Sequence, residues 1–487
     1  MSQFVFLHIL VILAILLYFQ YTRLPMRFDF LKSRFPFFLM FVIVCLLNVN
    51  YTILRSARNA LAVADLGGGA GAIPWFELCG TMPGAFLMTL GLTYLLNRYS
   101  IRRVFFIVLS IFVLFFLGFA MGVYPWLSSW PQGSYIPVFA SMLFFVMAEL
   151  WKIALLTVLF WGLVNQYVPL SQAKKYYSPL MLGGSIGTIL AGPLISLCTS
   201  SWFVNSSWAQ SLVFLMWMLL FVSLCTAWVF QLLWKQCSQF SPVVSNASEA
   251  EKETVKPSLS VWSSILICWR SPYLLLLAWV TIADYIAYAL GEVVFLDILK
   301  QKFPDPREYC DFMGTLSVYS GILTAISALV ITPYILKRCR WVVASLVTPI
   351  CLLVTEGFFF FAVWHPSLSY QLEFLVVLGS LFFCLVRAAK YTLFDTSKEI
   401  SFLLLPPLEK MQGKLVVDGM CARLGRGGGA CITLGLIQVF GSVLAIVPVA
   451  GGLAVLIASS CAFATSRLGA LVERIDPARI SRAKNVS

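Results

Sequence analysis

Long apolar runs alternate along this chain with short polar breaks that are mostly basic. Runs of spanning length fall near residues 4–20, 35–58, 73–95, 102–124, 136–163, 178–199 and 209–234. A second set falls near 273–298, 311–336, 341–364, 372–394, 427–447 and 449–466. Each is about as long as a helix must be to cross the hydrocarbon core of a bilayer. Between the sets lies SQFSPVVSNASEAEKETVKPS, residues 238–258, rich in Ser and charge. With the first run set aside, the pattern predicts six helices, a hydrophilic linker and six more helices.

The 4–20 run is preceded by no Lys or Arg and followed by YTRLPMRFDFLKSR instead of a small-residue cleavage site. That order predicts an uncleaved extra helix with its N-terminus outside. The expected divisions are an extra helix and basic loop at 1–30, a six-helix half at 31–235, and a cytoplasmic linker at 236–272. A second half at 273–468 and a basic cytoplasmic tail at 469–487 complete the chain.

Composition agrees: 60% of the residues are hydrophobic and 11% are charged, against about 25% charged in soluble domains. A large soluble domain is excluded. The net charge of +13 reads as topology rather than as a nucleic-acid footprint. Placing residues 21–34 in the cytoplasm puts 26 Lys and Arg on that side, three in the opposite loops (all within KQKFPDPRE) and five inside spans. This asymmetry is the positive-inside pattern. The 13 cysteines form no CxxC pair, and His8 and His365 are the only histidines, so neither a metal centre nor a His-based triad is expected.

The halves echo each other. LNRYSIRRV and LKRCRWVV are short basic loops at matching places. AKKYYSPLMLGGSIGTILAG and GKLVVDGMCARLGRGGGACITLG are Gly-rich entries to the fifth helix of each half. The expected fold class is therefore an all-α polytopic membrane protein, major-facilitator-like. Two six-helix halves in parallel pseudo-repeat would hold a midplane site between them.

Charges inside the spans mark candidate chemistry, because each costs about 2.5–3.5 kcal/mol to insert. Arg55 and Arg58, in NYTILRSARNALAV, are three apart and share a helix face. No carboxylate lies in that segment, so the pair reads either as snorkelling outward or as a cavity wall whose guanidinium forks await an anion. Arg387 and Lys390 in LVRAAKYTLFD repeat the spacing, with snorkelling again the alternative for Lys390. Glu149 and Lys152 in MAELWKIALL read as an intrahelical ion pair or as cleft residues. Glu292 and Glu356 are lone acids, Asp284 resembles them, and each is read as titrating or as pairing with a cation on another helix.

Several segments, in order and at the right spacing from about 31 to 465, resemble the bacterial and plastid nucleotide transporter family, the ATP/ADP translocases. They are NYTILRSARNALAV, AIPWFELCGTMPGAF, VLFWGLVNQYVPLSQAKKYYSPLMLGGSIGTILAG, FPDPREYCDFMGTLSVYSGI, WVVASLVTPICLLVTE and KYTLFDTSKEISFLLL. The resemblance implies twelve helices and exchange of ATP against ADP, or proton-driven nucleotide uptake. It also implies a multi-pass monomer in a bacterial inner membrane, with nucleotide and lipid bilayer as partners and no cofactor or nucleic acid. Arg58 stands where the family has a Lys. Glu149, Glu292, Lys390, Asp395 and Lys414 match its charged positions. Substrate binding is thereby expected from Arg55, Arg58, Arg387, Lys390 and Lys414, and gating or coupling from Glu149, Lys152, Glu292 and Asp395.

The chain departs from the family at Asn59, where an Asp is common, at Phe295-Leu296-Asp297 and at SFLLLPP. These departures leave NAD, other nucleotides or another phosphorylated metabolite open as cargo. A membrane enzyme or flippase acting on a lipid phosphate is the rival from another class. It lacks support, since LGRGGGA follows no strand and ends in no Lys-Ser/Thr.

Overall fold

The computed structural model describes residues 29–127, 129–131, 134–167, 170–199, 207–237 and 261–475. The extra helix at 4–20, most of the 236–272 linker and the tail past 475 lie outside the described residues. Those described residues are helical with no strand. The first six long helices are α1 (Pro36–Ala64), α2 (Ala70–Arg98), α3 (Ile101–Leu127), α4 (Tyr135–Asn165), α5 (Leu170–Thr199) and α6 (Trp208–Gln236). The second six are α7 (Pro272–Lys302), α8 (Pro306–Arg338), α9 (Trp341–Trp364), α10 (Leu372–Phe402), α11 (residues 407–440) and α12 (Val447–Glu473).

Local chemistry sets several ends. Ser271 accepts from the Leu274 N–H at 3.4 Å and Asp305 from the Arg307 N–H at 2.8 Å, each just before an N-terminal proline. Gly441, at φ +84°, closes α11 in the left-handed region. Large apolar side chains such as Leu87, Leu114, Phe139, Trp228, Phe358 and Leu456 stay exposed, as a lipid-facing surface requires.

One sequence expectation is corrected here. Between the apolar runs at 372–394 and 427–447, the sequence leads one to expect a basic cytoplasmic loop over residues 395–426. Instead α10 continues past Asp395, and α11 already begins at Pro407. Lys410, Lys414, Arg423 and Arg426 dilute the apolar signal of its first half, so only the part within the 427–447 run reads as a span.

Between the halves, α5 and α8 pack through small residues. A Cβ on Gly192 would lie 2.9 Å from the Gly314 carbonyl oxygen, and one on Gly321 would lie 2.8 Å from Ile189. Such pairs let helices approach closely in lipid. At one end of the bundle the last turn of α1, residues 60–64, packs against α7 and α8, and the first turn of α2 against α7 and α11. There Thr199 of α5 donates to Asp311 of α8 at 3.2 Å. Wide π-helical turns interrupt several rods, among them residues 76–81 in α2, 152–160 in α4, 390–394 in α10 and 415–421 in α11. π-turns often mark functional positions.

Candidate functional site

At the junction of the halves, α1 and α4 supply a buried ion pair. Arg58 donates to Glu149 Oε1, and both side chains are buried. The guanidinium also lies 4.2 Å from the Phe145 ring centroid. Tyr51, two turns earlier on α1, donates its hydroxyl to the same carboxylate oxygen at 3.2 Å. Its ring carries the ammonium of Lys152 at 5.2 Å. Lys152 opens the π-turn of α4.

Across the junction, Arg55 Nη2 lies 3.5 Å from Glu292 Oε1 on α7, and the Tyr288 hydroxyl reaches that oxygen at 3.4 Å. From the other side, Arg426 on α11 faces two carboxylates of the first half. These are Glu77 Oε1 at 3.7 Å and Glu149 Oε2 at 3.8 Å. Its side chain keeps 33% of its surface exposed, so the junction is open to water there.

The second half repeats the internal pair: Lys390 on α10 donates to Asp284 on α7, 3.4 Å from the Tyr285 ring centroid. Arg387, one turn earlier, meets no carboxylate among the described residues. Its guanidinium lies 5.0 Å from Phe383 and 5.7 Å from Tyr391. Arg55 lies 4.9 Å from the same Phe383 ring. Two guanidiniums are thus gathered beside one ring.

The structure sorts the expected site residues. Arg55, Arg58, Glu149, Lys152, Glu292 and Arg387 converge on the junction, through shared contacts with Glu149 or Phe383. Lys390 is drawn into its own buried pair. Lys414 and Asp395 belong to a separate network. Lys414 donates to Glu399 at 2.6 Å, and Lys398 bridges Asp395 at 3.4 Å and Asp418 at 2.9 Å.

Three readings are corrected. Arg55, Arg58 and Lys390 are not cations left open for cargo, because each has a carboxylate on a distant stretch of chain. Glu149 and Lys152 form no intrahelical pair, because Arg58 and Arg426 take the carboxylate while Lys152 rests on Tyr51. Among the described residues Glu356 forms no ion pair, and both of its oxygens are buried without a side-chain donor. Sequence reasoning missed Glu77 and Arg426. Each is a charge inside a helix that packs at the junction, the signal that had singled out the others, but Arg426 had been assigned to a loop. Of the departures at Phe295-Leu296-Asp297, the first two are core residues, and Asp297 accepts from Gln301 at 3.2 Å.

Among the described residues the junction therefore holds five cations (Arg55, Arg58, Lys152, Arg387, Arg426) against three carboxylates (Glu77, Glu149, Glu292). Lys152 and Arg387 rest on aromatic rings and form no ion pair with a carboxylate among the described residues. A positive excess of this kind, half-buried between two bundles, suits a polyanion whose oxygens accept from several donors together.

Comparison with known proteins agrees. Residues 18–130 and 134–471 match the family described as TLC ATP/ADP transporter. "ADP,ATP carrier protein 1" of Chlamydia muridarum is 32% identical over 459 residues, covering 87% of this chain and 85% of the relative. The chloroplastic "ADP,ATP carrier protein 2" of Arabidopsis thaliana is 32% identical over 458 residues, covering 86% and 71%. Among solved structures, the nucleoside transporter NupG superposes with a TM-score of 0.59 at 13% identity, covering 89% of this chain and 99% of that one. An inward-facing bacterial homologue of the iron transporter ferroportin gives 0.57 at 15%, covering 88% and 98%. These two share the fold. Sequence and architecture together place the chain in the TLC ATP/ADP transporter family, a family of membrane carriers of major-facilitator-like fold.

Proposed function

We propose that this protein exchanges adenine nucleotides, ATP against ADP, across its membrane by alternating access of the two halves. The observation that carries the reading is the pair of half-buried cations Lys152, held on the Tyr51 ring, and Arg387, held with Arg55 on the Phe383 ring, neither forming an ion pair among the described residues. They supply phosphate contacts, with Arg55 joining when its 3.5 Å pair with Glu292 opens. Arg58 and Lys390 hold the scaffold. The names of the chlamydial and plastid relatives support adenine nucleotide as cargo. The proposed placement is a bacterial inner membrane, as a monomer with the linker and C-terminus in the cytoplasm, on the strength of the basic loops. Purified protein in liposomes loaded with ADP tests the exchange. Labelled ATP should enter faster than into empty liposomes, and equal rates would overturn it.

A second reading, proton-coupled uptake, draws on Glu356. A buried carboxyl with no ion pair among the described residues is a place to carry a proton, and it lies against Gly291, where a Cβ would come 2.6 Å from its Oε1. Glu292, next in sequence, is instead occupied by Arg55. On this reading, uptake should follow an imposed pH gradient and be lost in Glu356→Gln. Uptake indifferent to the gradient would reject it.

A further inference from the structure

Glu77 and Arg426 have so far no part in the transport cycle. They face each other across the junction, with α2 of the first half giving the acid and α11 of the second giving the cation. The Arg55–Glu292 contact runs the other way, with the cation on the first half and the acid on the second. The halves are thus joined by ion pairs that run in both directions, the Arg426–Glu149 contact sharing the sense of Arg426–Glu77.

These bridges differ from the pairs inside each half. Arg58–Glu149 and Lys390–Asp284 are close, hydrogen-bonded and buried. The Arg426 contacts are 3.7 and 3.8 Å, beyond the roughly 2.7–2.9 Å of a charge-assisted hydrogen bond. They attract without bonding. A phosphate oxygen that bonds the guanidinium directly can therefore replace them at little cost. The two acids before Arg426 are also unequal. Glu149 is fixed by Arg58 and Tyr51. Glu77 has Arg426 as its one ion-pair partner among the described residues, and it keeps partial exposure into which it can be released. It stands on the π-turn 76–81, where the widened backbone gives the side chain lateral freedom.

We infer that Glu77 is the empty-state occupant of Arg426, a carboxylate standing where a nucleotide phosphate goes and yielding to it on binding. This deepens the carrier reading and rests on it. With no nucleotide, Glu77–Arg426 and Arg55–Glu292 together hold the halves in one orientation. An anion that satisfies Arg426 and Arg55 at once releases both bridges, so the loaded carrier turns over and the empty one does not. Glu77 and Arg426 act here as positioning residues that make movement conditional on cargo.

The test is the ratio of efflux into nucleotide-free buffer to efflux into buffer containing ADP, from proteoliposomes loaded with labelled ATP. Both rates scale with the amount of folded protein, so the ratio is insensitive to folding losses. In Glu77→Gln the ratio should rise about fivefold, the worth of one part-exposed ion pair. Half-saturating ATP should fall, because Arg426 no longer has a full competitor. Glu77→Asp, which restores the charge, should return the ratio toward wild type, a rescue that a merely structural role would not give. A wild-type ratio and wild-type half-saturation in Glu77→Gln would overturn the inference while leaving the carrier reading standing. Absence of any ATP movement by the wild-type protein would remove both.

Discussion

Replacing Arg58 and Arg387 in turn by alanine separates cations that hold the fold from cations that hold cargo. Arg58→Ala strips Glu149 of its close partner while leaving the carboxylate buried. The remaining neighbours are the Tyr51 hydroxyl at 3.2 Å and Arg426 at 3.8 Å, too little to replace a hydrogen-bonded guanidinium. Breaking such a pair costs about 3–5 kcal/mol. Arg387→Ala abandons no carboxylate, and its ring contacts at 5.0 and 5.7 Å are worth about 1 kcal/mol. The two variants should therefore differ by about 2–4 kcal/mol in stability. The order should reverse in transport per folded molecule, where losing one charged hydrogen bond to phosphate raises half-saturating ATP about tenfold or more. Unfolding of the detergent-purified protein followed by tryptophan fluorescence gives the first quantity, and uptake into liposomes the second. Equal destabilisation by both variants, or an Arg58→Ala protein within about 1 kcal/mol of wild type, would refute the division.

Three more outcomes follow from the same contacts. Tyr51→Phe keeps the ring under Lys152 and removes one hydrogen bond to Glu149. It should cost about 0.5–1.5 kcal/mol by the same unfolding assay, and Tyr51→Leu should cost more because the ring goes too. Gly192→Ala drives a Cβ to 2.9 Å from the Gly314 carbonyl oxygen where the halves meet, whereas a Cβ on Gly91 meets nothing within 4 Å. Thermal midpoints should fall for the first and hold or rise for the second.

The third outcome concerns Asp65, in the turn after α1, which accepts from the Tyr124 hydroxyl and the Trp208 indole N–H, each at 2.9 Å. Burial raises its pKa above the ordinary 3.8 despite those donors. The folded state thus binds this proton more tightly than the unfolded state. Its stability contribution is full below pH 3.8 and is lost as pH rises through the folded value. Asp65→Asn should flatten that part of the stability–pH curve, and an unchanged slope would count against it.

What the sequence disclosed depended on the range of the signal. Eleven spans were legible because each is a local apolar run, and the basic loops and Gly-rich echoes suggested two related halves. α11 was legible only in its second half, within the run at 427–447, since Lys410, Lys414, Arg423 and Arg426 gave its first half the look of a loop although Arg426 meets acids at the junction. The positions of Arg55, Arg58, Glu149 and Glu292 were legible as charges in apolar surroundings. Their pairings were not, because Arg55 meets an acid 237 residues away and Arg58 one 91 residues away. Glu149 and Lys152 failed for a local reason. A π-turn begins at Lys152, so the three-residue spacing does not carry the geometry of an ordinary α-helical turn.

The central claim is that positive charge left over at the junction recognises the phosphate chain. Ligand-induced thermal stabilisation tests it most directly, with adenosine, pyrophosphate, ADP and ATP added to the wild-type protein and to the Lys152→Ala/Arg387→Ala double variant. The account predicts that ADP and ATP stabilise the wild type, that pyrophosphate does so less and adenosine hardly at all, and that the double variant loses the response. Stabilisation by adenosine equal to that by ATP, or an undiminished ATP response in the double variant, would contradict it.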